Sequence, residues 1–305
     1  MAQDTCRLQC TRRNKNKSHS IFQEEKMKLN IKYVILSGTL SLILSAIIFP
    51  LISGPKIRLN SGWNRDIVIE GTPSDVYIPK KYKKKNLLLL PGWNYSKSSW
   101  IENTKMIEFA DRYGYALIMP DMKITLYESE YFPETKMKWN TIPGGKYIKN
   151  YFIPEMQNKY GLLTQKQKNF LLGLSTGGRG VALVSLENPG IFTAGASLSG
   201  DFSQENMPGD RIMTNVYGSY QQFRERWTGR DNPMARISEW KMHIYLSHGA
   251  DDRIVPPIQT KLFHDRLVKS GKDIKIIYHK VPGKAHNYAF WGDELDKVFD
   301  FFNQF

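Results

Sequence analysis

Lys168–Val181, KNFLLGLSTGGRGV, constrains the chain more than any other stretch. The apolar run Phe170–Leu174 reads as a strand buried on both faces, and it breaks at Ser175, Gly177 and Gly178. With Gly173 this forms G-x-S-x-G, whose spacing has a mechanical reason. A sharp turn from strand into helix holds the serine in a strained backbone conformation, and side chains at the flanking glycines would collide with the neighbouring strand and helix. The turn lifts the hydroxyl off the sheet edge and sets it at a helix N-terminus, where the dipole favours developing negative charge. Three residues alone also describe an ordinary turn serine. The remaining chain must supply a base, an acid and an oxyanion hole.

Taken in order, Ile67–Ile69 and Asp75–Ile78 read as two early strands around a turn at Gly71 and Pro73. Leu87–Leu90 is a continuous apolar run ending in Pro91-Gly92-Trp93. Residues 99–113 predict a helix capped by Gly114, and Tyr115–Met119 the next strand. Residues 122–145 form a long aromatic loop, a length that in compact domains usually signals function or disorder. A helix over 146–160 leads to the strand before Ser175, and the helix after it ends near Asn188. Thr193–Leu198 is another strand, followed by a polar and aromatic excursion, 201–240, read as an insertion over the sheet edge. His243–Ser247 and Ile274–Val281 are two further strands separated by a helix over about 257–270, and a closing helix starts near Asp293. This alternation predicts an α/β fold, a mainly parallel sheet with helices on both faces.

Sites in such sheets gather beyond the carboxyl ends of the strands. HGADDRIVP places Asp251 and Asp252 after one predicted strand, and VPGKAHNYAFW places His286 after the next. Ser175, Asp252 and His286 thus follow in nucleophile, acid, histidine order, each on its own strand end. His286 would move the Ser175 proton, and the carboxylate would hold the imidazole in the right tautomer and stabilise its cation. Asp252 fits the acid position better than Asp251 through its D-x-x-V-P spacing to Val255 and Pro256. Each residue has a plainer reading: a turn serine, a helix-capping aspartate, a solvated loop histidine. It is their combination that favours catalysis. Backbone N–H donors for the oxyanion are expected from Thr176, next to the nucleophile, and from Trp93. Tyr95, Trp139 and Trp291 supply either an acyl or sugar platform or part of the core. His248, just before the acid, suits a role in orienting that loop.

Beyond the triad, the order LLPGWNYSKSSW, YALIMPD, YIKNYFIPEMQNKYG, GLSTGGRGVAL, FTAGASLSG and HGADDRIVP…GKAHNYAFW resembles the esterase branch of the α/β-hydrolases. That branch includes esterase D (S-formylglutathione hydrolase), feruloyl and acetylxylan esterases, and mycolyltransferases. The resemblance covers about Asn86–Phe302 and implies ester hydrolysis or acyl transfer without metal or cofactor. Its relatives carry His-Gly where this chain has Pro91-Gly92. A peptidase of the related prolyl-oligopeptidase type fits less well, since no propeller precedes the hydrolase.

Tyr33–Ile52 holds twenty residues without a charge, enough to cross a hydrocarbon layer of ~30 Å. Residues 1–32 carry eight Lys or Arg against three acids, so the N-terminus is expected to stay cytoplasmic and the rest to lie across the membrane. The apolar segment is an anchor, or a signal peptide if cleaved near Ser53-Gly54; translation from Met27 instead of Met1 would leave an ordinary signal-like start. The expected organisation is a disordered basic tail over 1–32, a membrane segment over 33–52 and a hydrolase domain over 56–305. Cys6 and Cys10, the only cysteines, lie in the tail with only His19 near, too few ligands for zinc. Most of the net charge of +14 falls outside the tail. Such a balance favours anionic substrates or an anionic membrane surface, or is simply a soluble basic surface. No nucleic-acid motif accompanies it.

Overall fold

The computed structural model describes residues 56–305; the tail and the apolar segment expected over 33–52 lie outside them. Eight strands form one sheet in the order β1-β2-β4-β3-β5-β6-β7-β8: β1 (Gly62–Ile69), β2 (Thr72–Ile78), β3 (Lys85–Leu90), β4 (Tyr115–Pro120), β5 (Lys168–Leu174), β6 (Ala194–Leu198), β7 (His243–Gly249) and β8 (Ile276–Val281). Only the pairings made by β2, with β1 and with β4, are antiparallel. From β4 through β3 and β5 to β8 every pairing is parallel. The expected α/β-hydrolase architecture is present.

Strand periodicity explains why LLLL needs cover on both sides. Leu87 and Leu89 enter a cluster with Phe109, Phe170 and Phe299, whereas Leu88 and Leu90 enter the opposite one with Tyr147, Phe152 and Val181. All four leucines are at most 1% exposed. At ~25 cal/mol per Å² of apolar surface, each such side chain contributes roughly 2 kcal/mol.

Several boundaries differ from the sequence expectations for local reasons. The first hairpin turns on Glu70-Gly71, with φ of 47° and 75°, a mirror-image turn; Pro73 already belongs to β2. The helix over 99–113 is two, Ser99–Asn103 and Met106–Tyr113, because Thr104 is extended (φ −144°, ψ 172°). Gly114 caps the second at φ 81°, as expected. The helix over 146–160 begins at Gly144 and passes through a π turn at Ile148–Phe152. The closing helix is Leu295–Phe302, preceded by a separate helix, Tyr288–Asp293. Residues 201–240 form four short helical turns between β6 and β7. Among the described residues no helix is long and apolar enough to cross a membrane.

Candidate active site

Ser175 joins β5 to the helix Thr176–Glu187 at φ 55°, ψ −125°, a region that a non-glycine residue occupies only under constraint. The constraint is visible on both sides. A Cβ at Gly173 would lie 2.0 Å from the Gly177 carbonyl oxygen, and one at Gly177 would lie 2.2 Å from that of Leu90. The Ser175 N–H is anchored on the Leu198 carbonyl at 2.9 Å. The turn therefore has the strained geometry expected of G-x-S-x-G.

Asp252 follows β7 and is 5% exposed, whereas Asp251 beside it is exposed. Oδ1 of Asp252 accepts the Ile254 and Val255 N–H groups, both at 2.9 Å, and Oδ2 lies 2.6 Å from His286 Nδ1. That bond puts a proton on Nδ1 and leaves Nε2 as an acceptor. Burial pushes the Asp252 carboxyl up, but hydrogen bonds from His248 and His286 outweigh it and hold the carboxyl far below the usual range. His248, wholly buried, approaches Oδ2 at 3.2 Å, the Val255 carbonyl at 3.0 Å and the Thr260 hydroxyl at 2.6 Å. It braces the acid loop, the role its position suggested.

Ser175, Thr176 and His286 line one cavity of about 360 Å³, together with Trp93 and Tyr95. Among the described residues neither the Trp93 nor the Thr176 backbone N–H has an acceptor. The loop carrying Trp93 lies close to the nucleophile: a Cβ at Gly92 would fall 3.1 Å from that of Ser175. Tyr127 props this loop by donating its hydroxyl to the Pro91 carbonyl at 2.8 Å.

Two aromatic expectations need correction. Trp139 does not line the cavity; it packs on Tyr147 with centroids 4.9 Å apart and donates Nε1 to the Asp121 carbonyl at 3.0 Å. Trp291 is completely buried and donates to Ser199 Oγ at 3.2 Å, its ring standing edge-on to His286 at 5.0 Å. It backs the histidine and is closed off from substrate.

Sequence reasoning missed the residues that the excursions bring in. Leu126 enters from the loop before the Gly144–Tyr147 helix, and Met207, Ile212 and Met213 enter from the segment between β6 and β7. Arg179, one turn after Ser175, ties these pieces together although it is fully buried. It pairs with Asp201 at 2.9 Å, contacts the Tyr217 hydroxyl and the Leu126 carbonyl at 3.3 Å, and donates to Gln204 and the Asp231 carbonyl. Burial raises the Asp201 carboxyl above its usual range, and the neighbouring guanidinium opposes this only in part. Asp231 accepts the Ser129 N–H on both oxygens, and burial pushes its carboxyl up to about 6. The only signal of this network in the sequence is an arginine on an otherwise small and apolar helix face.

Among known proteins, an acetyl esterase of Caldicellulosiruptor saccharolyticus is 23% identical over 251 residues, spanning 74% of this chain and 88% of that protein. Among solved structures, the fluorophosphonate-binding serine hydrolase FphF of Staphylococcus aureus superposes with a TM-score of 0.61 at 18% identity, covering 82% of this chain and 99% of that one. An S-formylglutathione hydrolase of Agrobacterium tumefaciens gives a TM-score of 0.66 at 15% identity, covering 79% and 94%. These neighbours bear out the resemblance to the esterase branch, and the structural ones share its fold. The family model that matches is that of the prolyl oligopeptidase family, over residues 105–305, from the helix before β4 to the C-terminal residue. The chain belongs to the prolyl oligopeptidase family of α/β-hydrolases.

Proposed function

We propose that this chain is a serine hydrolase that cleaves carboxylic esters through an acyl-enzyme on Ser175. The observation that carries the reading is the 2.6 Å bond from His286 to Asp252 at the rim of the cavity that the strained Ser175 also lines. Nε2 of His286 takes the Ser175 proton as Oγ attacks the ester carbonyl. The resulting oxyanion faces the N–H groups of Thr176 and Trp93, which have no other acceptor among the described residues. The histidine passes its proton to the departing alcohol, and water repeats the sequence to free the acid. Asp252, held ionised by its donors, stabilises the imidazolium in both steps. The kinship with an acetyl esterase supports ester substrates. No metal or cofactor takes part in these steps.

The test is labelling by a serine-directed fluorophosphonate, comparing wild type with Ser175→Ala, followed by a p-nitrophenyl ester chain-length panel. Labelling that vanishes in the variant is expected. Folded wild-type protein that resists the probe would sink the reading. Acyl transfer would use the same acyl-enzyme, and product analysis with an added alcohol acceptor separates the two; exclusive hydrolysis is expected. We further propose that residues 33–52 anchor the enzyme with its catalytic domain on the extracytoplasmic side, on the strength of their uncharged run and the basic residues before it. Recovery of full-length protein in membranes, released by detergent but not by salt, is the expected result; release by salt alone contradicts it.

A further inference from the structure

The positive charge of the domain is concentrated at one end of its sheet. In the six residues before each strand from β3 to β8 there are nine Lys or Arg and three acids, and Lys85 and Lys168 open two of those strands; the six residues after each strand hold four of each sign. Helix C-termini favour cations and account for part of this bias. They do not account for Lys80, Lys81, Lys83 and Lys84, which lie on the connection between β2 and β3, where no helix ends. All four are exposed and have no carboxylate partner among the described residues, whereas Lys159 pairs with Glu155 at 3.0 Å. Lys85 and Lys168 face each other across the pairing of β3 with β5, and the Lys168 N–H donates to the Lys84 carbonyl at 3.2 Å. Burial pushes the Lys85 ammonium down, and the charges of Lys168 and Lys83 push it the same way. Cations crowded together with so few acids repel one another, and an anionic surface relieves that repulsion.

The chain enters the domain at this same end. Gly62, the first residue of β1, pairs with Ile78, the last of β2 before the lysine-rich connection, and the Ile57 N–H donates to the Lys159 carbonyl at 2.7 Å, ahead of β5. Lys56 and Arg58 add two exposed cations. From Ile52, the end of the uncharged run, to Lys56 the chain reaches at most about 15 Å. The cavity with Ser175 lies at the other end of β5, a strand length of roughly 20 Å away. Resting on the reading of residues 33–52 as an anchor, we propose that the amino ends of the parallel strands form a docking face for the anionic phospholipid headgroups of the bilayer that holds the anchor. The lysines of this face bind the headgroup phosphates, and the cavity opens away from the bilayer. Ester substrates therefore reach Ser175 from the aqueous side.

Lysine acetylation read by mass spectrometry tests this on the full-length chain in nanodiscs of phosphatidylcholine, with or without about 30% phosphatidylglycerol. In the anionic discs Lys83, Lys84, Lys166 and Lys275 are expected to react about fivefold more slowly than in the neutral ones, and to recover in about 1 M NaCl, where screening is strong. Lys136, in the loop before the Gly144–Tyr147 helix, and Lys280, near the carboxyl end of β8, should react equally in both. A difference below about twofold at the four basic-face lysines overturns the proposal, as does protection of Lys136 and Lys280 instead, which would turn the cavity towards the bilayer. Duplex DNA that protects the same four lysines where anionic lipid does not would also overturn it, in favour of a nucleic-acid partner.

A variant combining Lys80→Gln, Lys81→Gln, Lys83→Gln and Lys84→Gln should bring the protection of Lys166 and Lys275 below about twofold. A control with the same loss of charge, Lys105→Gln, Lys136→Gln, Lys146→Gln and Lys280→Gln, should keep it, since all four of these lysines are exposed and lie off the basic face. Equal losses in the two variants would mean that net charge, and not this face, meets the lipid, and would overturn the proposal. Nanodisc assembly separates the two readings. A chain that does not enter the discs breaks the anchor reading, and phosphatidylglycerol vesicles added to it then test the face alone, protection supporting it and none overturning it. A chain held in the discs with its basic-face lysines unprotected breaks only this inference.

Discussion

Asp252 and Asp231 are both buried carboxylates within the α/β domain, yet their surroundings drive them in opposite directions. Asp252 sits at a strand end, where two backbone N–H groups and two histidines overcome the burial penalty and hold it ionised. Asp231 sits in the excursion between β6 and β7, where burial dominates over the Ser129 N–H and raises the carboxyl to about 6. The strand-end region takes two backbone donors and His248 from the stretch around its own loop, and His286 from the next strand end. The excursion is held by contacts between residues far apart in sequence, with Arg179 at their centre. Chemistry sits on the first, and the walls of the cavity come largely from the second.

The largest expected effect breaks the strand-end side. Asp252→Asn should lower kcat by about 10⁴-fold, because the imidazole loses the partner that fixes its tautomer. Asp251→Asn, at an exposed neighbour outside the hydrogen bond to His286, should change kcat less than about twofold. Steady-state kinetics on one p-nitrophenyl ester checks both. Equal losses would mean that the choice of acid is wrong.

On the side of the excursion the expected loss is stability. Arg179→Met leaves the Asp201 carboxylate and the Asp231 carbonyl without their buried donor. Breaking such a pair costs about 3–5 kcal/mol, which in a domain of this size lowers Tm by roughly 10 °C. Thermal unfolding monitored by circular dichroism measures it. A shift of only a degree or two would show that the network tolerates water in place of the guanidinium.

Proton linkage sharpens the contrast. Asp231 has its folded pKa raised, so its contribution is full below the unfolded value near 4 and is lost as pH rises towards about 6. Asp231→Asn should therefore gain on wild type between pH 4 and pH 7, by on the order of 2 kcal/mol in urea unfolding. Asp252 has its folded pKa lowered, so its contribution is present above about pH 4 and fades as pH falls. The lead of wild type over Asp252→Asn should shrink from pH 5 to pH 3. Parallel trends in the two variants would contradict the opposed environments.

The same contrast marks what was legible in the sequence. Ser175, Asp252 and His286 lie at strand ends, and strands announce themselves through apolar runs such as LLLL and FLLGL, so the sheet carried these residues to one edge. For Trp139 and Trp291 the sequence leaves platform and core open, because aromatics suit both and residue type alone does not separate the two. Local hydrogen bonds did: Asp121 holds one indole and Ser199 the other. Asp201, Met207 and Met213 were not legible as cavity residues. Their placement depends on Arg179 reaching back from the elbow helix to Asp201, Gln204 and Asp231, a set of contacts without periodicity.

A smaller effect probes the point where the loop over 121–143 supports the strand-end chemistry. Tyr127→Phe removes the hydroxyl that props the Pro91 carbonyl at 2.8 Å while keeping the ring that packs against Gly180. The expected cost is about 1 kcal/mol of stability. The Trp93 N–H should also be less well aimed, lowering kcat up to about tenfold, well short of losing a donor outright. A change in KM alone would assign the loop to binding instead.

The smallest expected effect concerns Trp139. Trp139→Phe loses the bond from Nε1 to the Asp121 carbonyl and part of the packing on Tyr147, which should lower stability by about 1 kcal/mol. Because the indole stands outside the cavity that Tyr95 lines, kcat/KM should stay within about twofold of wild type for every acyl length in the panel. Tyr95→Ala, by contrast, removes an aromatic wall and should raise KM in a manner that depends on acyl length. If Trp139→Phe instead changes chain-length preference, the loop over 121–143 reaches substrate in the bound enzyme, and the division between a strand-end site and its supporting excursions fails at that residue.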